Sequence, residues 1–74
     1  MTNLKGDIRG APLSYCEWGT LIMIALGYSN KEVSNVLCIC EQTVKNQVTH
    51  IMRKLDARNR AHCVTIGFDK GYLS

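Results

Sequence analysis

The chain is 74 residues long and 46% apolar, with nine Lys and Arg against six Asp and Glu for a formal net charge of +3. That length supports one small domain with a core near the lower limit for independent folding, and it excludes a large catalytic cleft. The longest apolar run, Leu21 to Leu26, is too short to span a bilayer, and no charged segment leads into an apolar run and cleavage site, so a cytoplasmic protein without a membrane partner is expected.

Residues 1–12 mix glycine, charge and proline without a period and read as a flexible amino-terminal arm, leaving residues 13–74 as the domain. Ser14 with Glu17 three positions on makes a capping box, so a first helix is predicted from about Tyr15 to Leu26, stopping at Gly27. Ser29 and Glu32 repeat that logic and predict a short second helix from about Asn30 to Leu37, with Val33, Val36 and Leu37 on its apolar side. The link Cys38, Ile39, Cys40 leaves room only for a tight turn, with Ile39 pointing inward and Cys40 near the next cap. From Glu41 to Leu55 the apolar residues Val44, Val48, Ile51 and Leu55 recur at steps of four, three and four, which makes a helix with a narrow buried seam. Asp56 to Asn59 breaks it, and Asn59 caps a fourth helix running to about Lys70 before Gly71. On that helix Cys63, Val64, Gly67 and Phe68 are expected inside, and His62, Thr65, Ile66 and Asp69 outside. Gly67 in mid-helix costs up to about 1 kcal/mol relative to alanine, which predicts a close backbone approach there. No strand-period segment or repeat occurs. The expected fold class is all-α, four helices, with a short helix, turn and long helix in the helix-turn-helix pattern.

Opposite the seam of the third helix lie Gln42, Lys45, Asn46, Thr49 and Arg53, all able to hydrogen-bond base edges or phosphates, with no acid among them. An ordinary solvated helix face would have a similar composition. The division of charge bears on the choice. Through Cys40, Lys5, Arg9 and Lys31 are balanced by Asp7, Glu17 and Glu32. From Glu41 onward, Lys45, Arg53, Lys54, Arg58, Arg60 and Lys70 outnumber Glu41, Asp56 and Asp69. The excess therefore sits where an electrostatic footprint on a polyanion would need it. The four cysteines read as thiols that act mostly as small apolar packing groups. Cys38 and Cys40 form a C-x-C pair and His62 adjoins Cys63, yet the usual zinc-ligand spacing is missing, so no metal or other cofactor is expected.

Leu13-Ser14 with Glu17 and Leu21, the stretch from Gly27 to Val33, the block from Glu41 to Lys45, and Arg53-Lys54-Leu55 followed by Arg60 together resemble the LuxR/GerE-type helix-turn-helix domain of bacterial transcription regulators. The resemblance holds the family's order and spacing over residues 13–73. It implies a compact four-helix domain whose third helix enters the major groove of double-stranded DNA, with dimers reading paired half-sites. By the same resemblance, Lys45, Asn46 and Thr49 approach base edges, while Lys31, Thr43, Gln47, Lys54, Arg58 and Arg60 lie near phosphates. Gln42 and Arg53, on the same polar face, join the phosphate set. Lys45 would donate to guanine O6 and N7, Asn46 would pair with adenine N6 and N7, and the Thr49 methyl would meet a thymine methyl.

Four departures from the family pattern stand out. Cys40 replaces the usual serine cap and is a poorer acceptor. Gln47 stands where histidine is common, with His50 at another polar position. Asp56 replaces a usual glycine, and an acid there opposes the helix dipole. The largest departure is a second apolar stripe on the first helix, Tyr15, Trp18, Ile22 and Leu26, on the side expected to face water. Either it binds protein, or Tyr15 and Trp18 fold back over the domain's own loops.

The expected function is a sequence-specific DNA-binding transcription regulator, cytoplasmic and at the nucleoid when bound. It would act as a homodimer through the fourth helix (His62, Thr65, Ile66, Asp69) or the first-helix stripe, with no room for a receiver or ligand-sensing domain. The alternative is a protein-interaction module that uses the first helix to bind or sequester another regulator. An enzyme is not expected, since no nucleophile-base-acid constellation is present and His50 and His62 fall on different helices.

Overall fold

Among the described residues every helix starts at a residue in extended conformation, and three of the four starts are closed by a short polar side chain. The computed structural model describes residues 12–73, so the expected arm lies outside the described residues apart from Pro12. Helix α1 spans Tyr15–Ala25, α2 Asn30–Leu37, α3 Glu41–Leu55 and α4 Arg60–Asp69, with no strand among the described residues. At α1 the Ser14 N–H donates to Glu17 Oε1 at 2.9 Å and the Glu17 N–H returns to Ser14 Oγ at 3.2 Å. The box at α2 repeats this with Ser29 and Glu32 at 3.0 and 3.1 Å. Asn59 Oδ1 accepts the His62 N–H at 2.8 Å and opens α4. Each box satisfies helix-end N–H groups that would otherwise lack a partner.

The helix ends differ in how they turn. After α1 the left-handed corner falls on Gly27 at φ +93°, which glycine adopts without a steric cost. The corners after α2 and α3 fall instead on Cys38 and Asp56, at φ 57° and 55°. An L-residue with a Cβ is disfavoured there by about 1–2 kcal/mol. The aspartate noted above therefore stands in a conformation that suits glycine.

The core is organised along the seam of α3. Ile51 and Leu55 join Leu13, Leu21, Ile22, Cys63 and Leu73 in one apolar cluster, and Val44 and Val48 join Ile24 and Val33 in another. Met52 and Val64 pack against both, and α3 and α1 each supply buried residues to the two halves. Polar ties lock the same elements together. Lys54 Nζ lies 2.7 Å from Glu17 Oε1, Thr20 donates to Gln47 Oε1 at 2.6 Å, and the Trp18 indole N–H donates to the Tyr72 carbonyl at 2.7 Å.

Gly67 fulfils the expectation of a close approach. A Cβ built on it would sit 2.8 Å from Leu73 Cδ1, because the segment after α4 folds back over its inner face. The Leu73 N–H donates to the Gly67 carbonyl at 3.0 Å and holds the fold-back. Two helix faces depart from the sequence reading. On α1, Ile22 is 9% exposed and belongs to the core, although an outward position was expected. On α4, Ile66 packs against the core while Phe68, expected inside, is 48% exposed. Leu73 lies over Gly67, and the buried side of α4 runs through Cys63 and Gly67. The thiols also differ from expectation: Cys63 is buried, but Cys16, Cys38 and Cys40 are exposed.

Candidate nucleic-acid interface

Helix α3 presents its polar side outward because its seam is so fully used. Val44 and Ile51 are completely buried, and Val48 and Leu55 nearly so. At 100° per residue this forces Gln42, Lys45, Asn46, Thr49 and Arg53 onto the opposite face, and all five are exposed. Gln42 Nε2 donates to Asn46 Oδ1 at 3.1 Å, and Thr49 Oγ1 donates to the Lys45 carbonyl at 3.0 Å. Among the described residues, Lys45 and Arg53 have no side-chain hydrogen bond or ion pair, which leaves two cations directed at solvent.

At the start of this helix the Cys40 thiol makes no capping bond to a backbone N–H. Its partner is the Thr43 hydroxyl at 3.1 Å, and that contact, reinforced by the Thr43 N–H, holds the thiol below the ordinary range. Burial pushes the Cys63 thiol in the opposite direction.

The residues expected near phosphates divide into two groups. Lys31 in the first turn of α2, Thr43 in the first turn of α3 and Arg58 in the link from α3 to α4 are exposed. Gln47, Lys54 and Arg60 are instead engaged within the domain. Gln47 receives Thr20, Lys54 pairs with Glu17, and Arg60 donates to Asn30 Oδ1 and, at 2.7 Å, to the Tyr28 carbonyl. Burial raises the Glu17 carboxyl pKa, but the Lys54 hydrogen bond and charge together with the Ser14 N–H and hydroxyl outweigh it and hold the group below its ordinary 4.5. The sequence reading missed Thr20, Tyr28 and Asn30 as partners and saw Glu17 only as a cap, since each acts on a helix distant in sequence.

The first-helix stripe does not form a continuous surface. Tyr15 is 78% exposed and Leu26 45%, but between them Ile22 is core and Trp18 is half-buried beneath Tyr72. What α1 does leave open is a shallow depression of about 300 Å³ lined by Tyr15, Cys16, Gly19, Leu37, Ile39 and Gln47. On α4, Thr65 and Asp69 face solvent, and half-buried His62 accepts the Arg58 N–H on Nδ1 at 3.0 Å. Among the described residues, no cluster of three His, Cys, Asp or Glu could hold a metal ion, and no helix is long and apolar enough to cross a membrane.

A sequence profile described as "Bacterial regulatory proteins, luxR family" matches residues 11–66. The chain is 34% identical over 62 residues, 84% of its length, to the uncharacterized transcriptional regulatory protein YvfU of Bacillus subtilis (strain 168). It is 42% identical over 63 residues, 85% of its length, to the transcriptional activator protein CarR of Pectobacterium carotovorum subsp. carotovorum. It spans 31% of the first relative and 26% of the second. Among solved structures it is similar to the transcription factor GerE, with a TM-score of 0.79 and 29% identity over 84% of this chain and 92% of that one. Matched by that profile over most of its length and by the fold of GerE, the chain belongs to the luxR family of bacterial regulatory proteins.

Proposed function

We propose that the chain is a sequence-specific DNA-binding transcription regulator that inserts α3 into the major groove. The observation that carries this reading is the division of α3 into a seam 0–8% exposed and an opposite wall of five exposed polar and basic side chains without an acid. Such a wall fits a groove that displays donors and acceptors between two lines of phosphate. Lys45, Asn46 and Thr49 are assigned to base edges. Lys31, Thr43, Arg53 and Arg58 are assigned to phosphates, while Gln47 and Lys54 chiefly hold α3 to α1 and Arg60 ties α4 to the start of α2. The relatives described as a transcriptional activator and a transcription factor support the same reading.

The active form is proposed to be a homodimer on paired half-sites, joined through α4, where Thr65, Phe68 and Asp69 are exposed. The alternative of an interaction module built on the first-helix stripe is weakened by the burial of Ile22.

Selection of bound duplexes from a random pool, followed by gel shift across a salt series, tests the proposal. Enrichment of a palindromic motif is the expected result, and absence of any shift at low salt would rule the reading out.

A further inference from the structure

The caps of α1, α2 and α4 share a plan but differ in one residue. At α1 and α2 the third helical residue is a glutamate, Glu17 or Glu32, whose carboxylate reaches back to the serine N–H. At α4 that position is His62. Its N–H donates to Asn59 Oδ1 at 2.8 Å, and its ring reaches back past Asn59, where Nδ1 accepts the Arg58 N–H at 3.0 Å. The donor is a backbone group whose direction the chain fixes. Nδ1 therefore meets it with a lone pair, and the proton of the neutral ring lies on Nε2. A carboxylate stays an acceptor down to about pH 4, whereas imidazole exchanges its acceptor for a second donor between about pH 8 and 5.

This bond falls at the hand-over from α3 to α4. In the link from Asp56 to Asn59, the N–H groups of Asp56 and Ala57 are tied back to the Arg53 and Met52 carbonyls of α3. The Arg58 N–H is tied forward instead, to α4 through the imidazole. The charged groups of the link are Asp56 and Arg58, and those of α4 are Arg60, turned away to Asn30 and Tyr28, and Asp69. Of the helices packed against α4, α3 brings Arg53 and Lys54 in its last turn, and α1 brings Glu17, which is engaged by Lys54. Among the described residues no carboxylate pairs with the imidazole, and a cation in the first turn of α4 opposes the helix dipole.

We propose that His62 is a positioning residue for DNA binding. Its neutral ring holds the Arg58 N–H and so sets the exposed Arg58 guanidinium toward a phosphate, and uptake of a proton releases that residue. This rests on the reading of α3 and its flanking links as the DNA-facing side. Mild acid loosens the hold, so this part of the affinity is present in the neutral state and lost in the protonated one.

The test compares the full chain with His62→Gln, which keeps an acceptor at every pH, and His62→Leu, which has none, each checked by circular dichroism for unchanged helix content. Affinity for a mixed-sequence duplex at low salt is measured from about pH 8 to 5.5, since a phosphate contact does not depend on base sequence. The Arg58 amide resonance of the free protein is followed over the same range. Wild type is expected to match His62→Gln at the alkaline end and His62→Leu at the acid end, where it falls about fourfold behind His62→Gln. Its Arg58 amide signal moves with it, toward the position seen in His62→Leu. In an Arg58→Ala background the two profiles should coincide. His50 is present in every form, so its own change of charge cancels. Parallel profiles for wild type and His62→Gln overturn the positioning role, and so does a wild type that gains on His62→Gln in acid, which would put the imidazolium itself on a phosphate. An Arg58 amide signal that follows the same course in wild type and His62→Gln sinks the bond on which the role depends. If no form binds duplex at low salt, DNA binding itself fails and the positioning role with it, while the amide signal still reports separately on the cap.

Discussion

At the scale of the residue, the most consequential side chain outside α3's polar wall is Glu17, which serves two masters. Its carboxylate closes the α1 capping box and also receives Lys54 from the last turn of α3. Removing the amine with Lys54→Met leaves a nearly buried carboxylate whose remaining partners belong to the cap. Because the Lys54 side chain is 42% exposed, solvent screening limits the loss to about 1 kcal/mol, well short of a fully buried pair. Urea denaturation at neutral pH measures it. The pH dependence has a definite sign. The folded carboxyl has a pKa below its ordinary 4.5, so its contribution is fully present above that value and disappears as pH falls through the lower folded one. The gap between wild type and Lys54→Met should therefore narrow as the pH is lowered from neutrality into that acid range. A gap that stays constant would mean Lys54 acts only through packing.

At the scale of the element, helix α3 has two imperfect ends. Its first residue follows Cys40, which makes no cap bond, where a serine oxygen would accept from the orphan N–H groups. Cys40→Ser is expected to raise the thermal midpoint by about 4 °C. An unchanged midpoint would show that the Thr43 contact already compensates. At the other end, Asp56→Gly relieves a left-handed L-residue and removes an acid from a helix C-terminus, against the greater conformational entropy that glycine gives the unfolded chain. The expected net gain is about 0.5–1 kcal/mol by chemical denaturation.

Much at this scale was legible in the sequence, because caps and seams are local. Ser14 with Glu17, Ser29 with Glu32, and the spacing of Val44, Val48, Ile51 and Leu55 lead to helices whose bounds agree within a residue or so. What was not legible depends on residues far apart in the chain. Nothing near Ile22 or Phe68 announces which of them the core takes in, or that Leu73 will fold over Gly67. Likewise, nothing near Lys54 or Arg60 announces Glu17, or Asn30 and Tyr28, as partners.

At the scale of the whole molecule, core and candidate interface are opposite sides of the same helix. Ile51→Ala, at a fully buried position, is expected to cost about 2–5 kcal/mol, a large part of what so small a domain has. DNA binding should then fall in proportion to the folded fraction and recover with a stabilising osmolyte, while base preference stays the same. Gel shift read alongside circular dichroism separates this from a direct contact effect, in which preference would change. The two corners that flank α3 carry a further consequence. Cys38 and Asp56 hold left-handed backbone with side chains that leave them little angular play, whereas glycine at either position would swing through a wider range. The pair behaves as a stiff bracket, and its strain is the cost of aiming α3 in one direction. A variant with glycine at both corners would fold more firmly yet point less steadily, gaining thermal stability while losing sharpness in telling one operator from another.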